Sequence, residues 1–324
     1  MPRGTDPIVI SGGGPAGSSA AIAAQLEGST VRIVEKSKFP RHKVCGEFFS
    51  PEIARELHRL GAWQAFLDSS PARIRRMKLH FGRRPKICNL PEPAWGLSRY
   101  AFDHLLLQRA RALGAEIVPA SSIEARVVAS GRAPSEIHRG RRLFGFKAHF
   151  TGPVDDAVEL FFFDGCYVGV NTVEGGRTNV CGLGPEDQLR RFHFDYDAIV
   201  RQSPALAHRL APLNREMKWI STGPLRYTQR FSPESAYFAG DALSFVDPFT
   251  GSGLLAAVRT GALAGIAAAR HDTVAQHVRR CRASLKKPFE IAGLFRKAVE
   301  TGWADRLAGL VPGRFLFALT RPGK

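Results

Sequence analysis

The sequence predicts an α/β fold that combines a parallel sheet, an antiparallel sheet and a helical C-terminus. Three observations predict it. The chain opens with a strand, a glycine-rich turn, an Ala-rich helix and a second strand, which is typical of a parallel βαβ unit. Between residues 143 and 183, short β-rich runs alternate with hairpin signals, which predicts an antiparallel sheet. From about residue 251 the pattern is mostly helical.

The opening unit carries the pattern Gly12-x-Gly14-x-x-Gly17 between the strand at 7–11 and the helix that ends near residue 26. In this pattern the first glycine permits a tight turn, the second lets the backbone approach a diphosphate, and the third allows close packing of helix and strand. Glu35 ends the next strand, where a carboxylate can accept hydrogen bonds from ribose hydroxyls. A dinucleotide site is therefore expected here rather than an ordinary glycine turn.

The rest of the chain supplies weaker signals for individual elements. We expect helices at 51–60, 100–113 and within 187–213, and β-like runs at 77–81 and 85–90. A further buried strand is expected at 236–239, just before Gly240-Asp241.

Composition excludes several classes of protein. The five cysteines lie far apart and form no CxxC pair, which excludes a disulfide scaffold or a cysteine-rich zinc module and favours a reducing compartment. We see no signal-peptide pattern, and the longest apolar stretch, Gly253 to Ala269, is interrupted by Arg259. A cytoplasmic protein without a transmembrane helix is therefore expected.

The chain is strongly basic, with 46 Lys and Arg against 29 Asp and Glu, a formal net charge of +17. A nucleic-acid-binding protein is the non-enzymatic alternative that this charge raises. The basic clusters are scattered and fit no recognition module, so we expect a solvated basic surface and no nucleic-acid partner. The basic, apolar C-terminal 40 residues leave a peripheral membrane contact open, with helices packed over the protein as the favoured interpretation.

Four segments together resemble the superfamily of FAD-dependent aromatic hydroxylases and geranylgeranyl reductases. They are Gly12 to Glu35, Ser98-Arg99-x-x-Phe102-Asp103, Gly240-Asp241 through Gly253-Leu254, and the Cys45-Gly46 loop within Phe39 to Pro51. The last segment is similar to the Cys-Gly loop of geranylgeranyl-reductase-like flavoproteins.

The resemblance implies a Rossmann-like FAD-binding domain (GR2-type, parallel sheet) with an antiparallel β-sheet substrate domain. It places the discontinuous FAD-binding domain at 1–70, 98–140 and 225–285, the substrate domain at 71–97 and 141–224, and a C-terminal helical segment at 286–324. Carried over by position, the residues that bind FAD are Gly12, Gly14, Pro15, Ala16, Gly17, Glu35, Lys36, Cys45, Gly46, Phe48, Arg99, Gly240, Asp241, Gly251, Gly253 and Leu254.

Cys45 is the candidate catalytic residue, as a thiol that donates a proton beside the flavin. The alternative is a small residue packed under the cofactor. Its basic neighbours at 41–43 are expected to lower the pKa of the thiol. Aromatic residues crowd the antiparallel region, which suggests an apolar or aromatic substrate. The expected substrate-binding residues are Phe146, Phe162 and Pro248.

The sequence departs from the family in one segment. Relatives carry an Asp-Gly motif after mid-chain, whereas the best match here has Ser130 before Gly131. This puts self-contained use of NAD(P)H in doubt and leaves a separate flavin reductase or an oxidase cycle open. The tryptophan motif of flavin-dependent halogenases is absent, so halogenation is not expected.

The resemblance implies an FAD-dependent oxidoreductase. The favoured reaction is that of a monooxygenase or oxidase acting on an apolar aromatic or polyketide-like compound. The alternative is a geranylgeranyl-reductase-like flavoprotein that reduces C=C bonds of a lipophilic substrate.

Overall fold

A computed structural model describes residues 6–81, 84–119, 123–131, 142–225, 231, 235–244 and 251–285. Three expectations lie outside the described residues: Pro248, the segment between Gly131 and Arg142 and the C-terminal segment 286–324.

The first sheet has five parallel strands in the order β14-β7-β1-β2-β6. Its strands are β1 (Ile8–Ser11), β2 (Val31–Val34), β6 (Glu116–Val118), β7 (Val127–Val128) and β14 (Tyr237–Phe238). The glycine-rich turn leads from β1 into α1 (Pro15–Leu26), which begins with Pro15 at a position where its missing N–H is not needed. The predicted parallel sheet is confirmed.

Helix α1 packs between α4 (Arg99–Ala112) and α8 (Gly253–Arg270). The approach of α8 is close because two of its glycines face α1. A Cβ at Gly261 would lie 2.1 Å from the carbonyl oxygen of Ala16, and a Cβ at Gly265 would lie 2.1 Å from that of Ala20. Small residues on both helices therefore set their spacing.

The second sheet has nine strands, with the path β12-β8-β11-β10-β9-β4-β5-β3 and β13 paired to β8. They are β3 (Phe48–Phe49), β4 (Ala72–Phe81), β5 (Arg84–Gly96), β8 (Leu143–Thr151), β9 (Ala157–Phe163), β10 (Cys166–Thr172), β11 (Thr178–Pro185), β12 (Asn214–Arg215) and β13 (Ile220–Leu225). Every pair is antiparallel except β4 with β9. These two strands are joined by no hairpin, so no tight turn forces them to run in opposite directions.

Short helices complete the described chain. They are α2 (Ile53–Arg59), α3 (Trp63–Asp68), α5 (Glu186–Arg191), α6 (Tyr196–Val200), α7 (Pro204–Leu210), a helical stretch at 274–285 and 3₁₀ turns at Glu174–Gly176 and Gly240–Ala242. Residues of α5–α7 pack with Phe146, Phe150 and Phe161 against one face of the second sheet. The opposite face is left for the cavity described below.

Among the described residues, α8 alone is long and apolar enough to span a bilayer by length and composition. Its position argues for another role, since 56% of that window is buried inside the protein. Arg259, within this helix, pairs with Glu56 at 2.9 Å. Helix α8 is therefore a core helix of this fold.

Candidate functional site

One large cavity, of about 910 Å³, lies between the glycine-rich turn and the second sheet. At one end it is lined by the turn and by Glu35, and at the other by apolar side chains of β4 and β9. The loop at 41–48 and the start of α8 form its walls. The cavity thus joins the two sheets, and each sheet contributes a different chemical surface.

The glycine-rich turn needs its first and third glycines for steric reasons. Gly12 has a φ of +100°, and a Cβ there would lie 2.4 Å from the carbonyl oxygen of Ala129. A Cβ at Gly17 would lie 1.7 Å from the carbonyl oxygen of Gly12. Gly17 therefore packs the turn against the helix and does not itself line the cavity, whereas Gly12, Gly14, Pro15 and Ala16 do.

Glu35 closes the turn from the side. Its carboxylate accepts hydrogen bonds from the backbone N–H of Gly13 and of Ser37, each at 2.7 Å. A carboxylate oxygen has more than one acceptor site, so both bonds leave capacity for hydroxyl donors from the cavity. Lys36 follows as an exposed side chain at the rim.

The Cys45-Gly46 segment crosses the cavity between the two sheets. The amide of Asn179, on β11, donates to the carbonyl oxygens of Cys45 and Gly46 at 3.2 and 2.9 Å. The sulfur of Cys45 accepts from the backbone N–H of Glu47 at 3.4 Å. A Cβ at Gly46 would meet nothing within 4 Å, so this residue leaves open space for a ligand.

Burial raises the pKa of the Cys45 thiol above its usual value, although the guanidinium of Arg99 acts in the opposite direction. The expectation that the basic neighbours at 41–43 lower this pKa is therefore wrong. Removal of the thiol from water outweighs the attraction of nearby cations for a thiolate. Cys45 is held as a protonated thiol at neutral pH.

Arg99 begins α4 and makes a two-pronged ion pair with Asp103, with N–O distances of 2.6 and 2.7 Å. Asp103 is fully buried, and it also lies 3.4 Å from the ammonium of Lys43. Asp103 raises the pKa of Arg99 despite the opposing effect of burial. One carboxylate is thus shared by two cations at the wall of the cavity.

Behind the Cys45-Gly46 segment lies a buried group of charges that we call the Glu47 cluster, made of Glu47, Lys147 and His149. The Glu47 carboxylate contacts the Lys147 ammonium, lies 2.7 Å from Nε2 of His149 and accepts from the backbone N–H of Arg99 at 2.6 Å. Burial acts to raise the pKa of Glu47, but the hydrogen bonds and charges of His149 and Lys147 together outweigh burial. The pKa of Glu47 therefore lies below its usual value. No sequence motif predicted this cluster.

The remaining wall comes from residues that follow β14 and from the start of α8. Gly240 and Asp241, after β14, line the cavity together with Gly251, Gly253 and Leu254. Gly251 has a φ of +62°, and a Cβ at Gly253 would meet nothing within 4 Å. Both α1 and α8 therefore begin at the cavity, where helix N-termini favour anionic or electron-rich groups.

The cavity fits FAD at several points. Of the sixteen residues expected to bind FAD, all except Gly17 line the cavity. Two helix N-termini, a carboxylate beside the turn and open space at Gly46 and Gly253 suit a dinucleotide that ends in a planar ring system. Gly17 was expected to bind FAD, but in the structure it packs helix α1 against the turn.

The two described residues that were expected to bind substrate, Phe146 and Phe162, do not line the cavity. Phe146 is fully buried and stacks on Tyr196 on the face of the sheet away from the cavity, so its substrate role is wrong. Phe162 lies beside Tyr167, and only Tyr167 lines the cavity. The apolar lining instead comes from Met77, Leu79, Val158, Leu160, Tyr167, Leu183, Ile220 and Leu225.

No protein-family model matches this chain. A stretch of 116 residues is 32% identical to menaquinone reductase of Mycobacterium tuberculosis, and covers 34% of this chain and 28% of that protein. The chain therefore matches little more than a quarter of that relative's length.

Two solved structures are similar over nearly the whole chain. A triple mutant of the flavin-dependent brominase Bmp2 has a TM-score of 0.80 at 19% identity, with 96% of this chain and 93% of that chain covered. A geranylgeranyl bacteriochlorophyll reductase-like protein of Thermoplasma acidophilum has a TM-score of 0.71 at 18% identity, with 98% and 91% covered. The chain has the fold of FAD-dependent halogenases and geranylgeranyl reductase-like flavoproteins. The FAD-binding fold that the resemblance implied is confirmed.

Proposed function

We propose that the chain is an FAD-dependent oxidoreductase that acts on an apolar small molecule. One observation carries the proposal: a single cavity runs from the glycine-rich turn at the start of α1 to the apolar side chains of β4 and β9. A dinucleotide and an apolar substrate can share such a space. The flavin-dependent brominase and the menaquinone reductase support a redox role.

FAD supplies two-electron redox chemistry when bound, and the chain supplies binding, orientation and protons. The N-terminus of α1 would hold the diphosphate, Glu35 the ribose, and the start of α8 the flavin ring. Apolar residues such as Met77 and Leu160 exclude water from the substrate end. Cys45 holds a proton at Sγ, and the sulfur is positioned by the hydrogen bond that it accepts from the backbone N–H of Glu47.

The sequence alone favoured oxygenation. The geometry of the site supports reduction of a C=C bond better. Reduction needs a proton donor at the cavity, and Cys45 remains a thiol because burial raises its pKa. Similarity to menaquinone reductase points in the same direction, toward a lipophilic substrate with an unsaturated chain or ring.

Oxygenation of a phenolic ring is the second candidate. Burial lowers the pKa of His42, which lines the cavity, so its imidazole is neutral at pH 7 and can accept a phenolic proton. Halogenation is not proposed, because the tryptophan motif of flavin-dependent halogenases is absent.

Absorption and product mass test the proposal. Purified protein mixed with FAD and gel-filtered should show a two-banded oxidised-flavin spectrum, and a colourless protein would overturn the proposal. The flavoprotein is reduced with dithionite, freed of excess dithionite by gel filtration, and then given menaquinone without oxygen, or a phenol with oxygen. A menaquinone product that keeps two added hydrogens after its quinol ring has been reoxidised in air supports reduction of a C=C bond, because reduction of the quinone ring alone is reversed. A product that gains an oxygen atom supports oxygenation.

Cys45→Ser separates the thiol from cofactor binding. If Cys45 is the proton donor, the variant keeps the flavin spectrum and loses reduction by about 100-fold or more. An unchanged rate would remove Cys45 from the mechanism.

A further inference from the structure

The loop before Cys45 places a lysine against the glycine-rich turn. A Cβ built on Gly14 would meet a single neighbour within 4 Å, the ammonium nitrogen of Lys43 at 3.6 Å. Gly14 is the residue at which the turn passes into α1, and α1 presents its free N–H groups there. The Lys43 ammonium therefore faces the point where the helix dipole and the backbone already favour an anion.

The surroundings leave Lys43 incompletely neutralised. Its nearest carboxylate, Asp103, lies 3.4 Å away and is already engaged by Arg99 through two shorter contacts of 2.6 and 2.7 Å. Two cations thus share one buried carboxylate. Burial lowers the pKa of Lys43, and the guanidinium of Arg99 lowers it further, because both disfavour the charged ammonium. A negative charge beside the ammonium would act in the opposite direction.

A second cation, Arg41, lies nearby and also has an unsatisfied hydrogen-bond donor. Among the described residues, Nε of Arg41 is buried and has no hydrogen-bond partner. Arg41 and Lys43 both lie over the ring of Phe39, at 5.6 and 5.3 Å from its centroid, so they occupy neighbouring positions on one wall. A buried N–H without a partner costs free energy unless a ligand satisfies it.

We propose that Lys43 recognises the diphosphate of the dinucleotide and so selects FAD over flavins without this group. This inference rests on the proposed function and adds a residue that the glycine motif does not contain. The ammonium supplies a charged hydrogen-bond donor opposite the N-terminus of α1, so the diphosphate would be held from two sides. The ion pair of Lys43 with Asp103 also ties the loop at 41–48 to α4.

The test compares two ligands that carry the diphosphate, FAD and ADP, with riboflavin, which lacks it. Binding of FAD, riboflavin and ADP to the full chain is measured by fluorescence titration or calorimetry at two salt concentrations, for the native protein and three variants. Lys43→Met should weaken FAD and ADP about 10- to 100-fold, the range of one charged hydrogen bond, and leave riboflavin within about twofold. Lys43→Arg should retain most of the affinity, and Lys38→Met, at an exposed position outside the cavity, should change nothing.

The salt dependence gives a second readout. Loss of the ammonium should reduce the slope of FAD affinity against salt concentration, because one ionic contact is removed. Equal weakening of FAD and riboflavin by Lys43→Met would show that the lysine acts only on loop shape and would overturn the inference. FAD affinity unchanged in Lys43→Met would also overturn it while leaving the proposed function intact. A native protein that binds neither FAD nor ADP would overturn both.

Discussion

His149 and Glu47 lie on different elements, 102 residues apart in sequence, yet Nε2 of the first is 2.7 Å from the carboxylate of the second. The carboxylate also contacts Lys147, two residues before His149 on β8. Because Glu47 directly follows the Cys45-Gly46 segment, these contacts fix the segment against the second sheet. The Glu47 cluster thereby connects β8 of the second sheet to the loop that carries the candidate catalytic thiol.

Glu47→Gln should destabilise the protein by about 3–5 kcal/mol, because Lys147 would remain buried without a negative partner. The free energy of unfolding, measured by urea titration with unchanged m-value, checks this loss. The double variant Glu47→Gln/Lys147→Met should recover a substantial part of it, since an apolar replacement removes the unpaired charge. Equal stability of the native protein and Glu47→Gln would show that the cluster does not hold the fold together.

Gly17→Ala should abolish or severely weaken folding and FAD binding together. Its Cβ would sit 1.7 Å from the carbonyl oxygen of Gly12, so the turn and helix must move apart. Gly46→Ala is the matched control, because a Cβ there meets nothing within 4 Å. We expect native thermal stability in Gly46→Ala with weakened FAD binding, because the methyl group enters the cavity. A Gly17→Ala protein with native melting temperature and FAD affinity would contradict the packing role.

The local part of the fold could be predicted from the sequence. The glycine motif places a strand, turn and helix next to one another, and the structure has β1 and α1 there. The pairing of β4 with β9 could not be predicted, because no turn joins these strands and pairing at a distance leaves no local signal. The antiparallel sheet is for this reason a mixed one.

The site residues likewise divide into those that a local motif predicts and those that depend on distant parts of the chain. The expected FAD-binding residues within the motifs line the cavity, except Gly17, because each motif positions them locally. The role of Phe146 was wrong because alternation along β8 separates two faces without showing which one meets the cavity. One signal for the Glu47 cluster was present: Lys147 and His149 occupy alternate positions in an otherwise apolar strand. Their partner could be found only once the fold brought Glu47 to them.

The Cys45 thiol should react slowly with iodoacetamide at neutral pH. Burial raises its pKa, so the thiolate fraction lies below that of an ordinary cysteine, whose pKa is about 8.5. The rate of alkylation of Cys45 is measured by mass spectrometry of its peptide at intervals from pH 7 to 10, in the folded protein and in urea. In the folded protein, this rate should still rise with pH in the range where the rate in urea has become constant. A folded-state midpoint at or below the urea midpoint would show an activated thiolate and contradict the proposed thiol donor.

His277 should make the protein less stable as the pH falls below about 6.5. The side chain is buried, and its Nε2 lies 2.8 Å from the carbonyl oxygen of Phe238, to which a neutral ring can donate. Burial lowers its pKa and neighbouring Arg280 lowers it further, while the bond to Phe238 acts in the opposite direction. Near pH 6, His277 therefore binds a proton in the unfolded chain but stays neutral in the folded chain. The free energy of unfolding then decreases as the pH falls, by at most about 1.4 kcal/mol per pH unit.

His277→Gln isolates this contribution, because glutamine can donate the same hydrogen bond but does not titrate. Urea unfolding of both proteins at intervals from pH 5 to 8 gives the difference in their free energies of unfolding. That difference should be constant above about pH 7 and should shift in favour of the glutamine variant between about pH 6.5 and 5. Parallel curves over the whole range would mean that His277 binds a proton as readily in the folded protein as in the unfolded chain. The neutral donor to Phe238 would then be wrong.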